Sequence, residues 1–152
     1  MQIIILATGR CRDRHIRAIE SEYLNRLPDS MWRVNIRELA DAATPDEEAG
    51  GQLVALAAVP SPSVKILLDE SGDSVTSRSF AGRFGDWQQD GIKAVCFLIG
   101  GANGVSERVM TRIDWVLSLG RLTLPHQMVR MVLAEQLYRM HTLLVGHPYH
   151  RD

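Results

Sequence analysis

Residues 94–106 read AVCFLIGGANGVS: six apolar side chains, then a turn holding three glycines, then the polar start of a helix. A short apolar run with no polar interruption reads as a strand buried on both faces. Glycine at its end lets the backbone reach positive φ, and lets a ligand approach main-chain N–H groups without a Cβ in the way. A buried strand that passes through such a turn into a helix is the repeating unit of a parallel α/β sheet. The turn is not G-x-G-x-x-G and lacks the Lys-Ser/Thr of a phosphate loop. Taken by itself it does not separate a ligand crevice from a tight packing turn.

The same alternation extends outward in both directions. QIIILATG, residues 2–9, is an apolar, β-branched run that stops at Gly9. RDRHIRAIESEYLNRL then spaces Ile16, Ile19, Tyr23 and Leu27 as one helical face, ended by Pro28. MWRVNIREL alternates Trp32, Val34 and Ile36 with polar neighbours and predicts a half-buried strand. Pro45 and the acids after it open a helix over PDEEAGGQLVALAAV, weakened by Gly50 and Gly51. SVKILLDESG predicts a short strand running into a turn, and SRSFAGRFGDWQQDG a helix with Phe80, Phe84 and Trp87 on one side. Beyond the glycine turn come a helix over residues 106–113, a short strand WVLSLG and a long final helix. Strand and helix alternate throughout, which predicts an α/β fold with a mainly parallel sheet covered on both faces. The 152 residues form one domain, and residues 40–62 are a connection within it.

Composition narrows the class of protein. Apolar residues make up 45% and charged residues 23%, ordinary values for a globular chain. The apolar runs IIILA and VCFLI are far short of a membrane span, and the N-terminus has neither the basic region nor the cleavage site of a signal peptide. Two cysteines fit a reduced compartment, with Cys96 expected to be a buried inert thiol. The expected location is cytoplasmic. Net charge is −1, but its distribution is uneven. Residues 38–48 carry only negative charge, whereas residues 121–151 hold four arginines and four of the five histidines against the single acid Glu135. One basic end can present a local phosphate-binding face on a neutral protein.

Chemistry concentrates in that end. In LGRLTLPHQMVRMVLAEQLYRMHTLL, residues 119–124 form an apolar connection and Pro125 stands where a first-turn proline opens a helix. Val129, Val132, Leu133, Leu137 and Met140 follow at core spacing, and Arg130, Glu135 and Arg139 lie on the same helix. Glu135 and Arg139, four apart, have the spacing of an ordinary surface ion pair. The chain closes on VGHPYHRD, in which five of eight side chains are His, Tyr, Arg or Asp. Zinc on His141, His147, His150 and Cys11 matches no usual ligand spacing, so no metal is expected. There is no G-x-S-x-G elbow to support a hydrolase.

The combination of FLIGGANGVS, LTLPHQMVRMVLAEQLYR and a terminal GHPYHRD closely resembles the ribosomal RNA large subunit methyltransferase H family. These are small bacterial SPOUT-class enzymes, and the likeness covers nearly the whole chain. It implies a single SPOUT domain over residues 1–152, with its C-terminal part tied into a deep trefoil knot, a connection that periodicity cannot show. It implies S-adenosylmethionine as cofactor, held by Leu68, Gly100, Gly101, Leu119, Gly120, Arg121, Leu122, Thr123 and Leu124. It implies methylation of N3 of a pseudouridine in helix 69 of 23S rRNA, on the assembled ribosome, by a homodimer. Glu135, Arg139, Tyr149, His150 and Arg151 are the expected catalytic cluster. Asn103 replaces an acidic residue usual in the family and receives no catalytic role. DAATPDEEAGG stands where many relatives are basic, which shifts the expected rRNA contacts to the C-terminal half. A non-catalytic ribosome-binding factor of the same fold, or a tRNA methyltransferase of the same class, are the alternatives; cofactor binding tests the first and substrate choice the second.

Overall fold

The computed structural model describes residues 1–150. Five strands and five helices alternate: β1 (Gln2–Thr8), α1 (Arg14–Leu24), β2 (Arg33–Leu39), α2 (Pro45–Ala57), β3 (Ser63–Ser74), α3 (Ser77–Gln89), β4 (Ala94–Ile99), α4 (Glu107–Met110), β5 (Trp115–Ser118) and α5 (His126–Leu144). The strands form one sheet in the order β2-β1-β4-β3-β5, and every pairing is parallel.

Side chains alternate across a strand, so a buried parallel sheet must bury two apolar sets at once. Ile3, Ile5 and Ala7 of β1 join Val95, Phe97 and Ile99 of β4 on one face. There they pack under Phe80 and Phe84 of α3 and Leu133, Leu137 and Met140 of α5. Ile4 and Leu6, with Cys96 and Leu98, point the other way, under Ala49, Ala55 and Leu56 of α2 and Val109 of α4. Cys96 is fully buried, and burial pushes its thiol pKa up to about 12, so it serves as packing.

Local chemistry sets the helix ends. Asp13 caps α1 by accepting from the N–H groups of His15 and Ile16, which lowers its own pKa. Thr44 and Glu47 form a reciprocal capping box at α2, followed by Pro45 in the first turn.

Three expectations change. The helix expected over residues 106–113 is a single turn, Glu107–Met110. Ile19 does not face the core but is 40% exposed, because Glu20 takes the inward position at 3% exposure. SVKILLDESG is not a short strand ending in a turn. β3 continues to Ser74, and its pairing with β5 breaks between Leu68 and Asp73, both of which oppose Leu117. Residues 69–72 therefore bulge out of a continuous strand. Gly72 makes this possible, since a Cβ there would lie 2.7 Å from the Val116 carbonyl.

The inward position of Glu20 joins α1 to α5. Arg130, 4% exposed, donates from Nε to Glu20 Oε2 at 2.8 Å and from Nη2 to Glu20 Oε1 at 3.0 Å. Its Nη1 donates to Glu38 Oε1 at 2.6 Å, and that same oxygen accepts from the Cys11 N–H at 3.0 Å. Burial works against the Arg130 charge, but the hydrogen bonds to Glu20 and Glu38 more than offset it and raise its pKa.

Candidate active site

In a parallel α/β sheet the loops after the strands gather at one edge, and ligands bind in the crevice outside the strand ends. That edge here holds a crevice of about 630 Å³, the size range of small-molecule sites. Three walls come from the chain. Leu68 and the bulge residues Asp69, Glu70 and Ser71 form one, and Ile99 with the glycine turn forms another. The third is the segment after β5, which runs through Pro125 into His126 and Val129 of α5.

Eight of the nine positions expected to meet a cofactor line this crevice: Leu68, Gly100, Gly101, Leu119, Gly120, Leu122, Thr123 and Leu124. Arg121 is exposed and does not line it. The reading of Gly100 and Gly101 gains a physical detail. A Cβ on Gly100 would sit 3.0 Å from Val105 Cγ1 and 3.1 Å from the Gly104 carbonyl oxygen. A Cβ on Gly101 would sit 2.5 Å from Glu48 Oε1. Both glycines thus expose backbone to the crevice because neighbouring protein leaves no room behind them. Glu48, 7% exposed, also accepts from the Ala42 N–H at 3.1 Å, and Asn103 Nδ2 donates to the Ala43 carbonyl at 3.2 Å. These contacts seat the glycine turn on the start of α2.

Sequence reasoning missed the acidic wall. Asp69 and Glu70 follow the apolar ILL of β3 directly, where the sequence pattern ends the strand, and that position was the available signal. His126 was also missed; it lines the crevice and lies against Gly9, where a Cβ would be 3.3 Å from its Nε2.

The second cluster sits elsewhere on α5. Tyr149 folds the tail back so that its hydroxyl donates to Glu135 Oε1 at 3.1 Å. Its ring packs edge-on against Tyr138 at 4.8 Å between centroids, with the Arg139 guanidinium 5.0 Å from its own centroid. Arg139 pairs with Glu135 and contacts His150 Nδ1 at 3.3 Å. The i,i+4 ion pair is present, but the tail is built onto it. Glu135, Arg139, Tyr149 and His150 are thus brought together, while Arg151 lies outside the described residues. None of the four lines the crevice. At ~1.5 Å rise per residue Glu135 lies about 9 Å along α5 from Val129.

Burial, a contact with Tyr23 and the Glu135 carboxylate raise the Tyr149 pKa above the usual phenol range. A raised folded pKa stabilises below the unfolded value near 10 and loses that contribution as pH rises through the folded value. In an alkaline titration followed by phenolate absorbance, one of the three tyrosines should ionise last, and Tyr149→Phe should remove that step. Three tyrosines ionising together would show that the tail does not hold this position in solution.

Cys11 is not gathered with the histidines, while His141 lies near enough to His147 that its pKa is lowered by burial first and then by that neighbour's charge. Cys11 is buried with its Sγ 3.6 Å from the Asp13 carbonyl, and His141 Nδ1 contacts Met31 Sδ at 3.0 Å. Among the described residues no group of three or more His, Cys, Asp or Glu side chains could hold a metal ion. No helix among the described residues is long and apolar enough to cross a membrane.

A parallel α/β domain with a glycine turn and an apolar post-strand loop closing one crevice defines the class, and residues 1–150 match the family described as "Predicted SPOUT methyltransferase". The chain belongs to the SPOUT methyltransferase family and is a methyltransferase. Its relatives are more particular. It is 39% identical over 151 residues to the "Ribosomal RNA large subunit methyltransferase H" of Paramagnetospirillum magneticum, covering 99% of each chain. Proteins of the same name from Rhodospirillum centenum and Hyphomonas neptunium are each 39% identical, again over 99% of both chains.

Proposed function

We propose that this chain is an S-adenosylmethionine-dependent methyltransferase of large-subunit rRNA, modifying N3 of a pseudouridine in helix 69 of 23S rRNA in the cytoplasm. The observation that carries the cofactor assignment is the crevice: eight of nine expected residues converge on it from three separate segments. The names of its full-length relatives carry the rRNA assignment.

The residues present fit the cofactor. Leu68, Leu119, Leu122 and Leu124 offer apolar walls for an adenine ring, with Leu122 81% exposed. Asp69 and Glu70 add carboxylates to the lining, groups able to accept from ribose hydroxyls or to offset a cationic sulfonium. The glycine turn offers main-chain groups with no side chain in front. When bound, S-adenosylmethionine supplies a methyl group on sulfur, an electrophile for in-line displacement. The walls exclude water and fix the approach, and such positioning can supply much of the acceleration.

The imide N3–H must also lose a proton, which calls for a base or for a cation that favours the anion. Glu135, Arg139, Tyr149, His150 and Arg151 offer both. Since the cluster and the crevice are separate within one chain, the reading places the tail of one subunit over the crevice of a partner in a homodimer. Met128, 38% exposed, and the half-buried Met131 and Val132 give α5 an apolar strip for that partner. The family's trefoil knot completes the reading for the C-terminal third.

Truncation after Pro148 tests the tail. It should cost about 1–2 kcal/mol of stability from the lost Tyr149 contacts. Cofactor affinity should persist, while methylation of ribosomal particles should fall at least ~100-fold. Tyr149→Ala and Arg151→Ala should each be damaging, and His150→Ala should alter the pH profile of the rate. Full turnover by the truncated protein would remove the tail from the mechanism.

A further inference from the structure

The loop after β1 and the first turn of α1 carry Arg10, Arg12, Arg14 and Arg17 around a single acid, Asp13. Asp13 is engaged as the cap of α1, accepting from His15 N–H at 2.7 Å and Ile16 N–H at 3.2 Å. Arg17 turns back to donate to the Cys11 carbonyl. Arg10, Arg12 and Arg14 are exposed, and no carboxylate pairs with their guanidinium groups among the described residues. Arg14 Nε meets only the His15 ring, at 3.4 Å, and Asp13 keeps its negative charge, so residues 10–17 still hold four arginines against one carboxylate, a local excess of positive charge that favours an anion nearby.

Their place in the fold gives the charge a use. The loop follows β1, so it sits on the same sheet edge as the crevice. Gln127 Oε1 accepts from the N–H groups of both Arg12 and Asp13, at 3.1 and 3.3 Å, which ties the loop to the first turn of α5. The neighbouring residue His126 lines the crevice and touches Gly9. The backbone that carries Arg12 is therefore held against the first turn of α5, beside the crevice mouth. Meanwhile the acidic run on the adjacent connection is largely engaged in structure. Glu38 is bound by Arg130, Glu47 closes the capping box and Glu48 is buried. Asp41 also stands near the rim, its Cβ 3.9 Å from a Cβ placed on Gly9.

We infer that Arg10, Arg12 and Arg14 form a phosphate-binding rim that holds the RNA backbone while the target base enters the crevice. The inference rests on the rRNA substrate proposed above and moves part of its electrostatic recognition to the N-terminal loop. Each phosphate contact releases counterions, so affinity should depend steeply on salt and the dependence should scale with the number of arginines.

The test compares wild type with Arg10→Gln/Arg12→Gln/Arg14→Gln, using a labelled RNA hairpin and purified large ribosomal subunits. The triple variant should bind both at least about tenfold more weakly at moderate salt, with the slope of log affinity against log salt reduced by about 2–3. Each single variant should lower that slope by about one, and the triple Lys variant should restore most of it. Titration with S-adenosylmethionine should be unchanged, which establishes that the crevice is intact. Arg33→Gln/Lys93→Gln, at the opposite sheet edge, should match wild type. A triple variant with wild-type affinity and slope overturns the rim. So does weaker binding to subunits with unaltered hairpin binding, which would mark a ribosomal-protein contact instead. If wild type binds neither RNA nor subunits, the rRNA reading itself fails.

Discussion

Gly100→Val is expected to weaken S-adenosylmethionine binding by about 10- to 100-fold while leaving the sheet folded. The cause is local. The new Cβ would lie 3.0 Å from Val105 Cγ1 and 3.1 Å from the Gly104 oxygen, and the turn must open to admit it. Overpacking of this kind costs about 1–3 kcal/mol, and a turn that forms a crevice wall transmits that cost to the ligand. β4 ends at Ile99, so its pairing with β1 and β3 is untouched. Gly101→Ala gives an internal comparison, because its obstacle is the Glu48 carboxylate. Removing that obstacle with Glu48→Ala should recover part of the lost affinity in the Gly101→Ala background and none in the Gly100→Val background. Wild-type cofactor affinity in a folded Gly100→Val protein would show that the ligand lies elsewhere.

Arg130→Ala should be the most destabilising single change in α5, by about 3–5 kcal/mol. It leaves the Glu20 carboxyl 3% exposed and without its two hydrogen bonds, and leaves Glu38 only the Cys11 N–H. For a chain of this size the melting temperature should fall by roughly 10 °C. The paired change Glu20→Leu/Arg130→Met should cost much less, since it removes both charges together. The Cys11 N–H and then Arg130 hold the Glu38 carboxyl below its ordinary value. A depressed folded pKa stabilises above the unfolded value and is lost as pH falls through the folded one, so this contribution should fade only in acid, below the usual glutamate range. Equal melting temperatures for wild type and Arg130→Ala would mean that α1 and α5 are held by their apolar contacts alone.

What was legible in the sequence follows from what burial demands. β1 and β4 are apolar on both faces and bounded by glycine, so IIILATG and AVCFLIGG could be read as central strands without help from neighbours. The glycine turn alone left a ligand crevice and a packing turn undecided, and the family resemblance supplied the expected cofactor positions. The 69–72 bulge was not legible, because DESG has the composition of a turn, and only the approach of β5 to Gly72 shows that the strand continues. Neither Glu20 nor Arg130 was singled out as buried, because charge on a helix usually faces solvent. Their burial depends on a partner 110 residues away, which no local pattern encodes. Tail composition announced chemistry, but the Tyr149–Glu135 contact needed the chain to fold back on α5.

The most direct test of the account is methyl transfer itself. Purified protein would be incubated with S-adenosylmethionine labelled in its methyl group and with large subunits or whole ribosomes from cells lacking the modification. The label would then be located by nuclease digestion and mass spectrometry. The account predicts one methyl group per particle, on N3 of a pseudouridine in helix 69, with none on free tRNA and no dependence on added metal. Cofactor binding with no transfer to any ribosomal particle, or transfer to tRNA in preference, would contradict it.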